Sequence, residues 1–227
     1  HKYGQALFHG GKVFGGVTVL SMLFNSFIMA FLIAIGKVGF SLLSAFAIVY
    51  FRFPFRRLSF WLIFSTLLLP VQVRIVPTFQ IVAQLDLINH FGGLTLPLIA
   101  SATATFLFRQ FFMTLPDELC DAARVDGAGP CRFFWDVVLP LSKTNMVALF
   151  IVMFIYGWNQ YLWPLVATTT QHMSTVVMGI QKLANAADQI PQWNDIMVTA
   201  ILALLPPLLV MIVMQRWFVK GLVEVEK

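Results

Sequence analysis

Charge is scarce in this sequence: Asp, Glu, Lys and Arg make up 11% of its 227 residues, against 59% hydrophobic residues. A water-soluble fold would have little left to cover its surface, so the solvent expected for most of the chain is lipid. Cysteine is almost absent. Cys120 and Cys131 match no metal-ligand spacing and are expected as two reduced thiols. The four histidines, His1, His9, His90 and His172, are scattered without ligand spacing, so no metal site or intramembrane catalytic centre is expected. A phosphate loop of the form G-x-x-x-x-G-K-[ST] is also missing, so any ATP used must be hydrolysed on another chain. Carboxylates are missing from the apolar runs, with Asp86, Asp188 and Asp195 at or beyond their ends, which argues against a gradient-driven carrier. The net charge of +5 is modest and indicates no nucleic-acid partner.

What is present is a series of charge-free runs between Lys12 and Lys37, from Leu87 to Phe108, from Thr144 to Gln181 and from Ile196 to Gln215. A bilayer-spanning helix needs about 20 apolar residues. The expected fold is therefore all-α, a polytopic transmembrane bundle in one domain over residues 1–227. Five spans are expected: Leu20 to Val49, Leu58 to Ala83 (interrupted by Pro70, Arg74 and Pro77), Leu94 to Phe112, Lys143 to Trp163 and Pro164, and Ile196 to Phe218 with Pro206 and Pro207 inside. A hairpin at Gly36 to Gly39 is rejected, because the limb from Phe40 to Phe51 is too short to cross.

Lysine and arginine set the orientation, since short cytoplasmic loops retain positive charge. Arg52, Arg56 and Arg57 mark one inner loop, and Arg109, Arg124, Arg132 and Lys143 mark another. Arg216, Lys220 and Lys227 place the C-terminus in the cytoplasm. The loop from Leu85 to Gly93 and the one carrying Lys182 are expected outside. His1 then falls outside, and an additional upstream helix is expected to make six spans in the complete protein. Trp163 and Trp193 are expected in the outer aromatic belt, Trp61 and Trp217 in the inner one.

The inner loop at about 113–143 is written as a helix-turn-helix. Thr114 is expected to cap, Pro116 to sit in the first turn, and Asp117 and Glu118 to face the positive end of the helix dipole. Gly127 suits a left-handed closing residue. Gly129 and Pro130 open a second short helix from Cys131 to Val138, with Pro140 as its stop.

Asp121-Ala122-Ala123, then Gly127, then Val137-Val138-Leu139-Pro140 resembles the EAA motif of ABC importer permeases. Asp121 stands where that family has Glu, and Val137 where Ile is usual. Resemblance to the maltose-type carbohydrate-uptake family extends through Ser44 to Ala47, Phe51 to Pro54, Gly157 to Pro164 and Gln215 to Leu222. The segments Leu69 to Ile75 and Ala102 to Met113 resemble its glycerol phosphate branch. This resemblance implies the type I importer permease fold, in a bacterial inner membrane. The implied partners are a homologous second permease subunit, two ATPase subunits that hold the ATP and Mg, and a periplasmic substrate-binding protein. It also implies that Asp121, Ala122, Ala123, Gly127, Leu139 and Pro140 couple to the ATPase, with Asp121 able to pair with a basic residue there. The implied cargo is sn-glycerol-3-phosphate or a related glycerophospho compound. An uncharged sugar or oligosaccharide is the alternative.

Strongly polar groups inside spans are pathway candidates, because they are costly in lipid. Arg74 offers a planar fork for two phosphate oxygens. Counting about 16 residues at 1.5 Å each puts it in the external half, beside a bend expected from Pro70 and Pro77. Lys37 could attract the same anion, although snorkelling to the cytoplasmic interface is the expected reading. Asn159 and Gln160 suit a hydroxylated ligand or a helix–helix contact, and Asn25 is expected to pack.

Overall fold

The computed structural model describes residues 17–69, 71–185 and 193–223, with the side chains of 71, 72, 195 and 216–223 left out. Pro70, Asp188, His1, His9 and Lys227, and the side chains of Asp195, Arg216, Trp217 and Lys220, therefore lie outside the described residues. The central element is α1 (Val19–Tyr50), one unbroken 32-residue helix, as the rejection of a hairpin at Gly36 to Gly39 requires. Thr18 starts it, its hydroxyl accepting from the Ser21 N–H. Two helices are long and apolar enough to span a membrane, α1 and, far along the chain, Ile196–Gln215. Three bent helix pairs bring the number to the five expected if each pair is one span.

The second span is not one helix, in keeping with the bend expected from Pro70 and Pro77. Arg56–Ser65 (α2) runs into a tight turn at Thr66–Leu68, and Val71–Gln84 (α3) leaves at 106° to it. Pro77 sits inside α3 without ending it. The third span is also broken. Phe91–Thr95 (α4) and Leu96–Leu98 bend by 48° into Ala102–Phe112 (α5), which Ser101 caps through the Ala104 N–H. Two polar side chains of α1 hold this break: Ser41 Oγ donates to the Ser101 carbonyl at 3.1 Å and Lys37 Nζ to the Ala100 carbonyl at 3.3 Å. Carbonyls freed at a helix break inside lipid must find donors, and α1 supplies them.

After α5 come Asp117–Val125 (α6), Pro130–Phe133 (α7), a wide π turn at Phe134–Val138 and Leu139–Leu141 (α8). Then follow Lys143–Trp158 (α9), Leu162–Ala167 (α10), Val176–Ala184 (α11) and Trp193–Val223 (α12). The fourth span thus ends at Trp158 rather than near Pro164. Asn159 and Gln160 close it, and Trp163 belongs to the separate α10. Trp163 is not in a lipid belt: it is 2% exposed, and its indole N–H donates to the Gly93 carbonyl at 3.1 Å.

α1 packs on α9 and α5, and α12 covers the far side of α9. Gly157 permits the closest of these approaches, since a Cβ there would lie 2.9 Å from the Ala30 Cα. Small residues at such crossings let backbones meet where lipid gives no hydrophobic drive. The core fills with Phe108, Phe112, Phe154, Met22 and Val138.

Loops segregate to opposite ends of α1 as the charge pattern requires. At its start, Asn25 Nδ2 donates to the carbonyls of His172 and Ser174, and Ser26 Oγ accepts from the Val176 N–H. Asn25 thus packs, as expected. At the same end Asn89, held at φ 61°, accepts from the N–H groups of Thr169 and Thr170 and from the Thr170 hydroxyl. At its finish, the Phe46 and Phe134 rings meet at 4.9 Å and those of Tyr50 and Phe133 at 5.1 Å, which seats the segment around α7.

Candidate functional site

Two sites emerge, one at each level of the bundle. The first is the turn built by α6 to α8. Pro116, not Thr114, is the residue that precedes α6. Thr114 instead donates its hydroxyl back to the Phe111 carbonyl at 2.6 Å, finishing α5. Asp117 and Glu118 fall in the first turn as the dipole favours. Gly127 closes α6 at φ +71°, with its N–H on the Arg124 carbonyl and the Ala128 N–H on the Ala123 carbonyl. No atom lies within 4 Å of where a Cβ on Gly127 would be, so the glycine is needed for its backbone angle and not for space.

Pro140 does not stop the second helix. The π turn widens the helix just before it, where the Leu139 N–H reaches the Phe134 carbonyl, and the helix continues to Leu141. A proline N–H is missing there, and a widened turn is where a helix absorbs that loss. The 72° bend comes instead at Ser142, which is fully buried and donates its hydroxyl to the Val138 carbonyl at 2.6 Å.

The six coupling candidates divide by side. Asp121, Ala122, Gly127 and Pro140 are exposed, whereas Ala123 and Leu139 pack inward against the cluster of Phe112, Phe133, Phe134 and Val138. Asp121 is bound only to Arg124 of its own helix, at 3.2 Å and well exposed. Such a pair is weak and screened, so the carboxylate remains open to another cation. Val125 and Trp135 add exposed apolar surface on the same turn.

The second site is a cleft of about 100 Å³ lined by Lys37, Arg74, Ile75, Thr78, Tyr156 and neighbours from the broken third span. Lys37 stands just past the middle of α1 and is 6% exposed. Its burial and its bond to the Ala100 carbonyl turn the ammonium into the bundle, against the expected snorkelling. Its ammonium lies 4.3 Å from the Tyr156 ring centroid besides bonding Ala100.

Arg74 lies in the first turn of α3, beyond the break, so counting rise along a straight helix misplaces it. It shares the cleft with Lys37 and is exposed. Asn159 and Gln160 do not line this cleft. Asn159 is exposed past the end of α9, and Gln160 Nε2 donates to the Tyr156 carbonyl at 3.3 Å. Tyr156 is the residue the sequence reading missed. The signal for it was a phenol inside an apolar run, an amphipathic ring where lipid-facing residues are expected. Among the described residues no group of His, Cys, Asp and Glu is arranged to hold a metal.

A bundle of straight and broken spans, with a projecting turn at one end and a cationic cleft at mid-depth, is a multi-pass membrane transport component. Residues 8–224 match the family described as binding-protein-dependent transport system inner membrane component, and the chain belongs to that family. It is 64% identical over 206 residues to the sn-glycerol-3-phosphate transport system permease protein UgpE of Yersinia enterocolitica, covering 91% of this chain and 73% of that one. The protein of the same name in Brucella melitensis is 57% identical over 225 residues, covering 99% of this chain and 80% of its own length. In fold the chain is similar to a bacterial ABC transporter involved in the import of the acidic polysaccharide alginate, with a TM-score of 0.78 at 21% identity over 95% of this chain and 78% of the other. The expected ABC importer permease fold is thus borne out.

Proposed function

We propose that this chain is one of two homologous permease subunits of an ATP-driven importer of sn-glycerol-3-phosphate, with its C-terminus in the cytoplasm. The observation that carries the reading is the 57–64% identity to permeases named for that substrate, over 91–99% of the chain. A periplasmic binding protein delivers the substrate, and two ATPase subunits, which hold the ATP and Mg, supply the work. Alternating access results when closure of the ATPases displaces the turn around Asp121 to Gly127 and the spans rock against the partner permease. Asp121 and Ala122 are the surface of that contact, and Ala123 and Leu139 anchor it to the bundle. A neutral-sugar permease is the poorer reading, because two cations face one cleft that has no carboxylate among its lining residues.

The test is Gly127→Pro against Gly127→Asn in cells that depend on this subunit for glycerol phosphate uptake. Proline fixes φ near −65° and removes the N–H that bonds Arg124, whereas asparagine tolerates the left-handed angle. Uptake is expected to be lost in the first and retained in the second, with both inserted in the membrane. Normal uptake by Gly127→Pro would refute the coupling role. Import of maltose instead of glycerol phosphate by the wild type would refute the substrate.

A further inference from the structure

We propose that the mid-depth cleft is a phosphate-reading subsite of this subunit, in which Arg74 and Lys37 together hold the phosphate group of the passing substrate. The proposal rests on the glycerol phosphate reading above and adds to it the residues and the ligand group. Four observations converge on it. Two cations line one small cleft, and no Asp or Glu lines it with them. Lys37 is buried with only a carbonyl and an aromatic face as partners, neither of which neutralises it. Arg74 stands in the first turn of α3, where the helix dipole disfavours a cation and favours an anion, and its guanidinium makes no ion pair among the described residues. Two other polar side chains of the wall are already committed: the Trp163 indole N–H donates to Gly93, and the Thr78 hydroxyl donates to the Arg74 carbonyl, whereas the Tyr156 hydroxyl has no hydrogen-bond partner among the described residues. The two cations are the charged donors of the cleft, with the Tyr156 hydroxyl as a neutral donor beside them, a set that suits a hydroxylated oxyanion.

The geometry also gives Lys37 two acceptors. Its ammonium bonds the Ala100 carbonyl in the break between Leu98 and Ala102. A phosphate oxygen is the stronger acceptor, because it bears the opposite charge. With three N–H donors the ammonium can take a phosphate oxygen beside the Ala100 carbonyl, while Ser41 holds the Ser101 carbonyl of the same break.

Direct binding tests this, since uptake KM is governed partly by the binding protein that delivers the substrate. Labelled sn-glycerol 3-phosphate is titrated onto the complete purified transporter in lipid nanodiscs without binding protein, for the wild type, Arg74→Gln, Lys37→Gln and Lys37→Arg. Either Gln variant is expected to bind about 10- to 100-fold more weakly, the worth of one charged hydrogen bond. Lys37→Arg, which keeps the charge, is expected to lie between Lys37→Gln and the wild type. Coupling is read in proteoliposomes with binding protein, where the Gln variants are expected to hydrolyse more ATP per molecule imported. If Lys37→Gln fails to assemble for want of its bond to Ala100, Arg74→Gln carries the test.

Wild-type binding by both Gln variants would overturn the subsite while leaving the importer reading intact. Failure of the wild type to import glycerol phosphate at all would instead overturn that reading. A phospholipid headgroup could present the same phosphate chemistry, so binding is repeated in phosphatidylcholine discs with and without phosphatidylglycerol. If the variants change only the retention of phosphatidylglycerol and not substrate binding, the cleft is a lipid site and the proposal fails.

Discussion

Asn89 shows how much one side chain can organise at the end of the bundle opposite α6. Its Oδ1 accepts three hydrogen bonds from Thr169 and Thr170, its Nδ2 donates to the Thr169 hydroxyl at 2.8 Å, and its backbone adopts the left-handed angle that asparagine tolerates. The loop after α3 is thereby tied to the loop after α10. Asn89→Asp keeps the three accepted bonds and is expected to match the wild type in thermal stability. Asn89→Ala loses all four bonds and strains the backbone, costing about 1–3 kcal/mol and exposing the loop around Thr170 to protease. Equal melting of the two variants would show that the clamp is incidental. The same contrast of context explains Lys37 and Trp163. Composition marks each as an interfacial residue, but a packed neighbour at Ala100 or Gly93 gives each an interior partner instead.

The elements differ in how far local rules reach. α1 was legible throughout, because 32 residues without a Pro or an acidic group leave no reason to break. α6 was legible in its first-turn acids and its closing glycine, though not in its cap, since Thr114 is nearer in space to the end of α5. The break of the second span was legible in Pro70 and Pro77, whereas the broken third span and the end of α9 at Trp158 were not. A break of a few residues in an apolar run leaves composition unchanged, and only the partners that receive the freed carbonyls stabilise it. Pro140 failed as a stop because the preceding π turn accommodates it. The crossing of α1 and α9 yields a prediction at this scale. Gly157→Leu forces an entire side chain against the Ala30 backbone and is expected to destabilise the bundle by about 1–3 kcal/mol, read as a lower melting temperature in detergent. Unchanged melting would mean the two helices can part without cost.

At the scale of the whole molecule, the loops gather at two opposite ends of α1 in the alternation that lysine and arginine predicted. In the orientation proposed here the turn of α6 to α8 faces the cytoplasm. Trypsin should therefore cut at the exposed Arg124 or Arg132 in inside-out vesicles and leave both intact in spheroplasts, as judged by mass spectrometry of the fragments. Cleavage from the periplasmic side would invert the topology and remove the basis for coupling to an ATPase.

Residue order alone is enough to read the lipid solvent, the alternation of loops and the turn marked by Asp121 and Gly127. Each of these follows from local quantities: run length, charge position and the backbone angles open to glycine. Only the tertiary structure decided that Arg74 and Lys37 face one cleft with Tyr156 while Asn159 and Gln160 stay outside it. The reason is geometric. Arg74 and Lys37 are 37 positions apart on different helices, and what brings them together is a 106° turn and a broken neighbouring span whose carbonyls α1 holds in place.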